Sequence, residues 1–217
     1  RGHGADDMSA HNVPLVILGA GILWFGWFGF NAGSALTSGA LASSAFVNTQ
    51  LGAAAAVLGW ILVERTRTGK VTALGAATGA VAGLATITPA AGFVQPMAAI
   101  LIGLVAGVAC FLAVGAKIRL GYDDSLDVVG VHMVGGVIGV MLTGAFASLA
   151  INPAGAPASL AQVGRQGVLA GVTLVFSFVA TLVILKITDV TVGLRLSEDD
   201  EIAGLDLTQH GEVAYRF

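Results

Sequence analysis

The chain has 217 residues, 56% of them hydrophobic and 11% charged, with a mean hydropathy of +0.88. A soluble domain carries about 25% charged residues, so this composition excludes an ordinary soluble fold and indicates a polytopic membrane protein. A net charge of −3 gives no basis for nucleic-acid binding, and one cysteine, Cys110, allows neither an internal disulfide nor a CxxC metal site. The opening RGHGADDMSA has no initiator methionine and no signal-type apolar region, which marks residue 1 as an internal position of a longer chain.

Six segments reach spanning length, judged against a need for about 20 apolar residues each. The first runs from Val13 to Asn31, with Pro14 near its start, where the missing donor costs nothing. The second covers Phe46 to Val63. The third, Val71 to Ile87, carries glycines at 75, 79 and 83, a ladder of small residues that predicts a close helix contact. The fourth extends from Met97 to about Gly115 with a similar pair, Gly103 and Gly107. The fifth is Leu126 to Leu149. The sixth, Val168 to Ile187, has few small residues and is expected to face lipid. The expected architecture is all-α, with a leading cytoplasmic segment at 1–12, a helical membrane domain at 13–188 and a cytoplasmic tail at 189–217.

Loop charges orient these spans. Arg65, Arg67 and Lys70 lie in the 64–70 loop, and Lys117 and Arg119 in the 117–127 loop; the tail side adds Lys186, Arg195 and Arg216. Loops 34–45, 88–96 and 150–164 have no Lys or Arg, and only Arg165 lies on their side. The positive-inside rule places both basic loops, the tail and the start of the chain in the cytoplasm. Six crossings return the chain to its starting side, so count and charge agree.

His132 is the one titratable residue in an apolar run between Asp127 and Arg165. An ionisable group in hydrocarbon is expensive, which favours a functional residue facing a cavity. The alternative is a core histidine that bonds a neighbouring helix and serves packing. A second constellation ends the first span: LWFGWFGFNAGS, residues 23–34, with Trp24, Phe25, Trp27, Phe28 and Phe30. These rings suit an interfacial anchoring belt. They also suit a cation site, with Asn31 and Ser34 supplying polar partners beside Phe30. The tail mixes an acidic run, Glu198–Glu201, with apolar anchors at Leu205, Leu207 and Tyr215, so it is either a solvated end or a docking segment. No HExxH, CxxC or GxSxG motif supports an intramembrane enzyme, and no cofactor is implied.

HNVPLVILGAGILWFGWFGFNAGSAL (11–36), AFVNTQLGAAAAVLGW, TPAAGFV, DDSLDVVGVHMVGGVIG (123–139) and EIAGLDLTQHGEVAY occur in the order of the Amt/Rhesus ammonium transporter family. The chain resembles the second half of such a transporter, helices six to eleven, over residues 11–217; the family's first five helices are not in this sequence. The resemblance implies half of an inverted-repeat transporter fold, a homotrimer with one pore per subunit in the plasma or inner membrane, and ammonium or ammonia as substrate, with methylammonium as an analogue. Phe30 matches the outer-gate phenylalanine and Ser34 the serine that hydrogen-bonds the recruited cation; Trp27 and Asn31 belong to the same signature. His132 matches the second histidine of a twin pair in the pore, and Asp127 an acidic position at the cytoplasmic end of that helix. Met133 departs from the glycine that commonly follows this histidine. The partner histidine and the rest of the recruitment site belong to the first half. Gly204 and Thr208 fall in the family's regulatory tail, and the cytoplasmic face is where a PII-type signal protein can bind. An ammonium sensor that signals through the tail is the rival function.

Overall fold

A computed structural model describes residues 9–213 of the chain. Among these residues the elements are helical: α1 (Val13–Gly33), α2 (Ala40–Thr68), α3 (Ala73–Ile87), α4 (Pro96–Leu120), a π-helical turn (Val129–Met133) running into α5 (Val134–Phe146), α6 (Leu160–Thr191) and α7 (Glu198–Ala203), then a second π turn (Asp206–His210). The chain divides into two compact units, one up to Ala170 and one from Gly171 onward.

Local chemistry accounts for the helix ends. Asn12 caps α1 by accepting the Leu15 N–H at 3.0 Å, and Pro14 occupies its first turn. Both α2 and α4 outrun the apolar stretches of the sequence by several residues, because Arg65, Arg67, Lys117 and Arg119 favour the negative end of the helix dipole. Each then stops at a glycine in the left-handed region, Gly69 at φ 77° and Gly121 at φ 70°.

Among the described residues five helices are long and apolar enough to cross a membrane, counting the π turn and α5 as one. The third expected span is shorter: α3 has 15 residues, about 22 Å of helix against a hydrocarbon core of about 30 Å. An ordered turn, residues 88–95, follows it. Asn48, fully buried on α2, donates through Nδ2 to the carbonyls of Ala91 (2.8 Å) and Val94 (2.7 Å). Irregular backbone at membrane depth is tolerated where protein groups satisfy it in this way. On the other side of the turn, the Ser148 N–H donates to Phe93 O at 2.7 Å, which fixes the end of α5.

In the first unit α2, α3 and α4 form the packed centre, and small residues bring them together. The rungs of the α3 ladder all meet α2: Gly75 faces Glu64, Gly79 faces Trp60 and Gly83 faces Ala56. On α4, a Cβ at Gly103 would stand 2.2 Å from Gly52 O, and one at Gly107 the same distance from Ala56 O. Backbones this close exclude any side chain. Helix α3 also packs against α1 and α5, which places it between them. Helix α5 reaches α3 through Gly135 and Gly139, where added Cβ atoms would meet Thr86 Oγ1 at 2.7 Å and Thr86 O at 2.0 Å. Helix α6 has no residue buried within the chain.

Candidate functional site

Three groups of predicted residues lie on α1, on the π–α5 helix and in the tail. On α1, the aromatic run divides between two faces. Trp27 is half-buried; its indole Nε1 donates to Thr88 Oγ1 at 2.8 Å and so ties α1 to the end of α3. Phe28 stacks on Phe46 of α2 at 4.1 Å. Asn31 is buried, and its Nδ2 donates to Thr49 Oγ1 at 2.9 Å. Trp27 and Asn31 therefore tether α1 within this chain rather than opening onto a free surface. With those residues turned inward, helical spacing turns Phe25 and Phe30 outward, 79% and 62% exposed. Trp27 and Phe30 meet edge to face at 5.8 Å, which holds the exposed ring upright on the packed one. Ser34 is exposed and its Oγ donates to Phe30 O at 2.7 Å. With its proton committed there, the hydroxyl oxygen keeps lone pairs free to accept from an N–H donor.

His132 lies in the π turn, not in a regular α-helix as the sequence suggested. The turn shifts bonding from i−4 to i−5, as in Val134 N–H to Val129 O. Its inward residues are Gly130, whose Cβ would press on Val114 of α4 at 2.8 Å, and Val131, 3% exposed against Trp60, Ala82 and Cys110. Packing those two inward leaves His132 and Met133 exposed. His132 is thus not a core histidine of this chain. The π turn could not be read from apolar periodicity, because it consists of one extra residue in an otherwise helical pattern.

The start of this turn is held by charge. Asp124 caps it, Oδ1 accepting from Val128 N–H at 2.9 Å and Oδ2 from Val129 N–H at 2.8 Å. Lys117 Nζ donates to Asp124 O at 2.8 Å and pairs with the Asp127 carboxylate. Asp127 itself has φ 58°, a left-handed backbone unusual for a non-glycine residue. Asp127 was the acidic residue singled out from the sequence; Asp124, which does the capping, was missed. An acidic residue four or five positions ahead of a helix start was the available signal. A cleft of about 1110 Å³ opens at this end, lined by His11, Asn12, Thr78, Lys117, Asp124 and Asp127 among others. Glu64 was also assigned to a loop from sequence. It lies on α2, 8% exposed, and accepts from Thr72 Oγ1 at 2.7 Å and Thr72 N–H at 3.2 Å, latching α2 to the start of α3.

The second unit has its own local order. Ser197 caps α7 by accepting the Asp200 N–H at 3.2 Å, and Arg195 holds Glu201 through two 3.2 Å bonds. Gly204 ends α7 at φ 99°, where a Cβ would stand 2.8 Å from Asp206 Oδ1. The Thr208 hydroxyl donates to Gly204 O at 3.1 Å, so the two predicted regulatory residues are direct neighbours. Leu205 and Leu207 are about half exposed within the chain; Tyr215 lies outside the described residues. No group of three His, Cys, Asp or Glu side chains among the described residues is placed to hold a metal ion.

Comparison with known proteins accords with this architecture. The sequence model described as Ammonium Transporter Family matches residues 1–215. An ammonium transporter of Mycobacterium tuberculosis is 49% identical over 227 aligned residues, covering 100% of this chain and 48% of that protein. One from Bacillus subtilis is also 49% identical, covering 96% of this chain and 53% of the relative. Among solved structures, Candida albicans Mep2 superposes with a TM-score of 0.82 at 37% identity, over 88% of this chain and 45% of Mep2. A structure described as a sensor Amt protein gives 0.83 at 32% identity, over 92% of this chain and 49% of its own. The chain spans about half the length of the relatives it matches. It is a multi-pass helical membrane protein, and it belongs to the ammonium transporter family.

Proposed function

We propose that the chain forms one half of an ammonium-conducting pore, with Phe30 and Ser34 at the outer mouth and His132 on the pore wall. The observation that carries this reading is exposure: these three side chains face outward from a packed chain that covers half the length of its relatives. A preceding half of the same protein would cover that face, and the pore would run between two inverted repeats, as in other transporters with sites at repeat interfaces. The basic loops and tail then face the cytoplasm.

Ammonium cannot cross hydrocarbon as a bare cation without a cost of several kcal/mol. At the mouth, the Phe30 ring face and the Ser34 oxygen replace part of its hydration. Beyond the gate an apolar passage favours ammonia, which forms when the cation sheds its proton; potassium has no such neutral form. A neutral His132 imidazole offers one donor and one acceptor nitrogen, so it can hydrogen-bond the passing molecule in either role. Three copies of the complete protein form the assembly, with one pore each, and a PII-type signal protein docks on the cytoplasmic face.

The test is flux of ammonium and methylammonium into vesicles holding the complete protein, with potassium as control. Uptake of both without potassium leak is expected. No flux above empty vesicles, from a protein confirmed as folded and assembled, would contradict the reading. The similarity to a sensor Amt protein favours one second reading, ligand binding that is signalled through the tail. Saturable binding with no flux would select it.

A further inference from the structure

The last turn of α4 carries two cations, Lys117 and Arg119, which the fold uses differently. Arg119 is exposed. Lys117 is turned inward, its side chain 18% exposed, and its Nζ donates to Asp124 O at 2.8 Å while pairing with the Asp127 carboxylate. A cation that served only the helix dipole would have no need of these partners. The α4 end of this contact is firmly placed. The Lys117 carbonyl accepts the Gly121 N–H at 2.9 Å, and α4 lies backbone against backbone on α2 at Gly103 and Gly107.

The other end is the short turn from which the helix of His132 starts. Asp127 N–H donates to Asp124 O at 3.2 Å, so Lys117 shares that acceptor and grips both ends of the 124–127 turn. Asp127 O accepts the Val131 N–H at 2.9 Å, inside the π turn. The Asp124 carboxylate caps Val128 and Val129. Asp127 stands at φ 58°, a left-handed conformation that an L-residue keeps only where its surroundings hold it. Without Lys117 the Asp127 carboxylate, 27% exposed, would be left largely covered and uncompensated, which favours release of the turn. If the π turn then relaxed to α-helix, the residues on one side of it would rotate by about 100° about the axis, the angle per residue at 3.6 per turn.

We propose that Lys117 is a positioning residue: by clamping Asp124 and Asp127 it holds the left-handed turn that sets the register of the π turn, and so aims His132 at the transport path. The inference rests on the transport reading for its consequence, though not for its geometry. Lys117 acts through the backbone and not on the substrate.

The experiment uses the complete protein in vesicles, with Lys117→Met, Lys117→Arg and Arg119→Met. Lys117→Met is expected to lower the maximal ammonium rate by about threefold, at unchanged half-saturation, because the mouth at Phe30 and Ser34 is untouched. Lys117→Arg, which keeps a charged donor for both acceptors, should recover most of the rate. Arg119→Met removes a cation from the same helix turn and should behave as wild type. Amide hydrogen exchange supplies the readout that a general loss of stability would not reproduce. In Lys117→Met, protection should fall at Val128 and Val129 and stay unchanged across α2 and α4. A wild-type rate or wild-type protection at Val128 and Val129 in Lys117→Met would overturn the proposal. So would an equal loss of rate in Arg119→Met, no recovery in Lys117→Arg, or exchange that rises throughout α2 and α4. A wild-type protein without flux would instead refute the transport reading, while amide exchange still decides whether Lys117 holds the turn.

Discussion

The seam joining α2, α3 and α4 and the outward face of α1 and the π–α5 helix are built on opposite rules. Along the seam glycines and alanines set the spacing, and Asn48 and Glu64 are bonded inside the chain, Asn48 Nδ2 to the Ala91 and Val94 carbonyls and Glu64 to Thr72. On the outward face Phe25, Phe30, Ser34, His132 and Met133 are exposed. A seam of glycine against backbone holds a membrane fold together through close packing. A titratable group on a face left open needs a cavity or a partner, which the seam does not offer it. The fold is therefore complete in the first region and the chemistry unfinished in the second. Substitutions in the first should act on stability, and those in the second on flux.

The largest effect is expected in the seam. Gly107→Val would drive a side chain into Ala56 O, which stands 2.2 Å from the Cβ position. We expect a loss of roughly 3 kcal/mol, the upper end of overpacking costs, read as a collapse of the melting temperature of the solubilised complete protein. A variant that melts like wild type would show that α2 and α4 are not in this contact. Next comes His132→Ala on the open face, with assembly and melting unchanged. Ammonium flux should fall about tenfold, equivalent to the loss of about one hydrogen bond of 1.4 kcal/mol in transit, or rejection of potassium should fail. Unchanged uptake and unchanged potassium rejection would make His132 a packing residue.

Ser34→Ala should be milder, raising the half-saturation concentration by about threefold to fivefold with little change in maximal rate. If both Ser34→Ala and Phe30→Ala leave the concentration dependence as it was, the aromatic run is an interfacial belt. The smallest effect belongs to the tail. Gly204→Asp forces an L-residue to φ 99° and sets a carboxylate beside Asp206, a strain of about 1–3 kcal/mol confined to α7 and the turn that follows. Uptake should drop about twofold in an intact assembly, as seen by native mass spectrometry beside the flux assay. Full activity would return the tail to a solvated end.

The sequence showed the seam and the identity of the outward residues more clearly than the details between them. The ladder at 75, 79 and 83 is a pattern of single residues at fixed spacing, and it appears in the structure as contacts with Glu64, Trp60 and Ala56. His132 stood out because charge is scarce in apolar runs. The division of the 23–34 run was not visible, because Trp27 and Asn31 are turned inward by Thr88 and Thr49, residues distant in sequence. Residues 71–87 were read as a span because the run is apolar throughout, but Thr72 caps the helix and α3 starts only at Ala73. Glu64 looked like part of a basic loop because its partner Thr72 lies across a turn.

The measurement that bears most directly on the open face is an experimental structure of the complete protein in lipid, read at position 132. The account predicts that the imidazole of His132 borders a continuous passage leading to the end where Phe30 and Ser34 lie, with the other half of the protein forming the opposite wall. An imidazole packed against apolar side chains, or turned toward lipid, with no passage beside it, would contradict it.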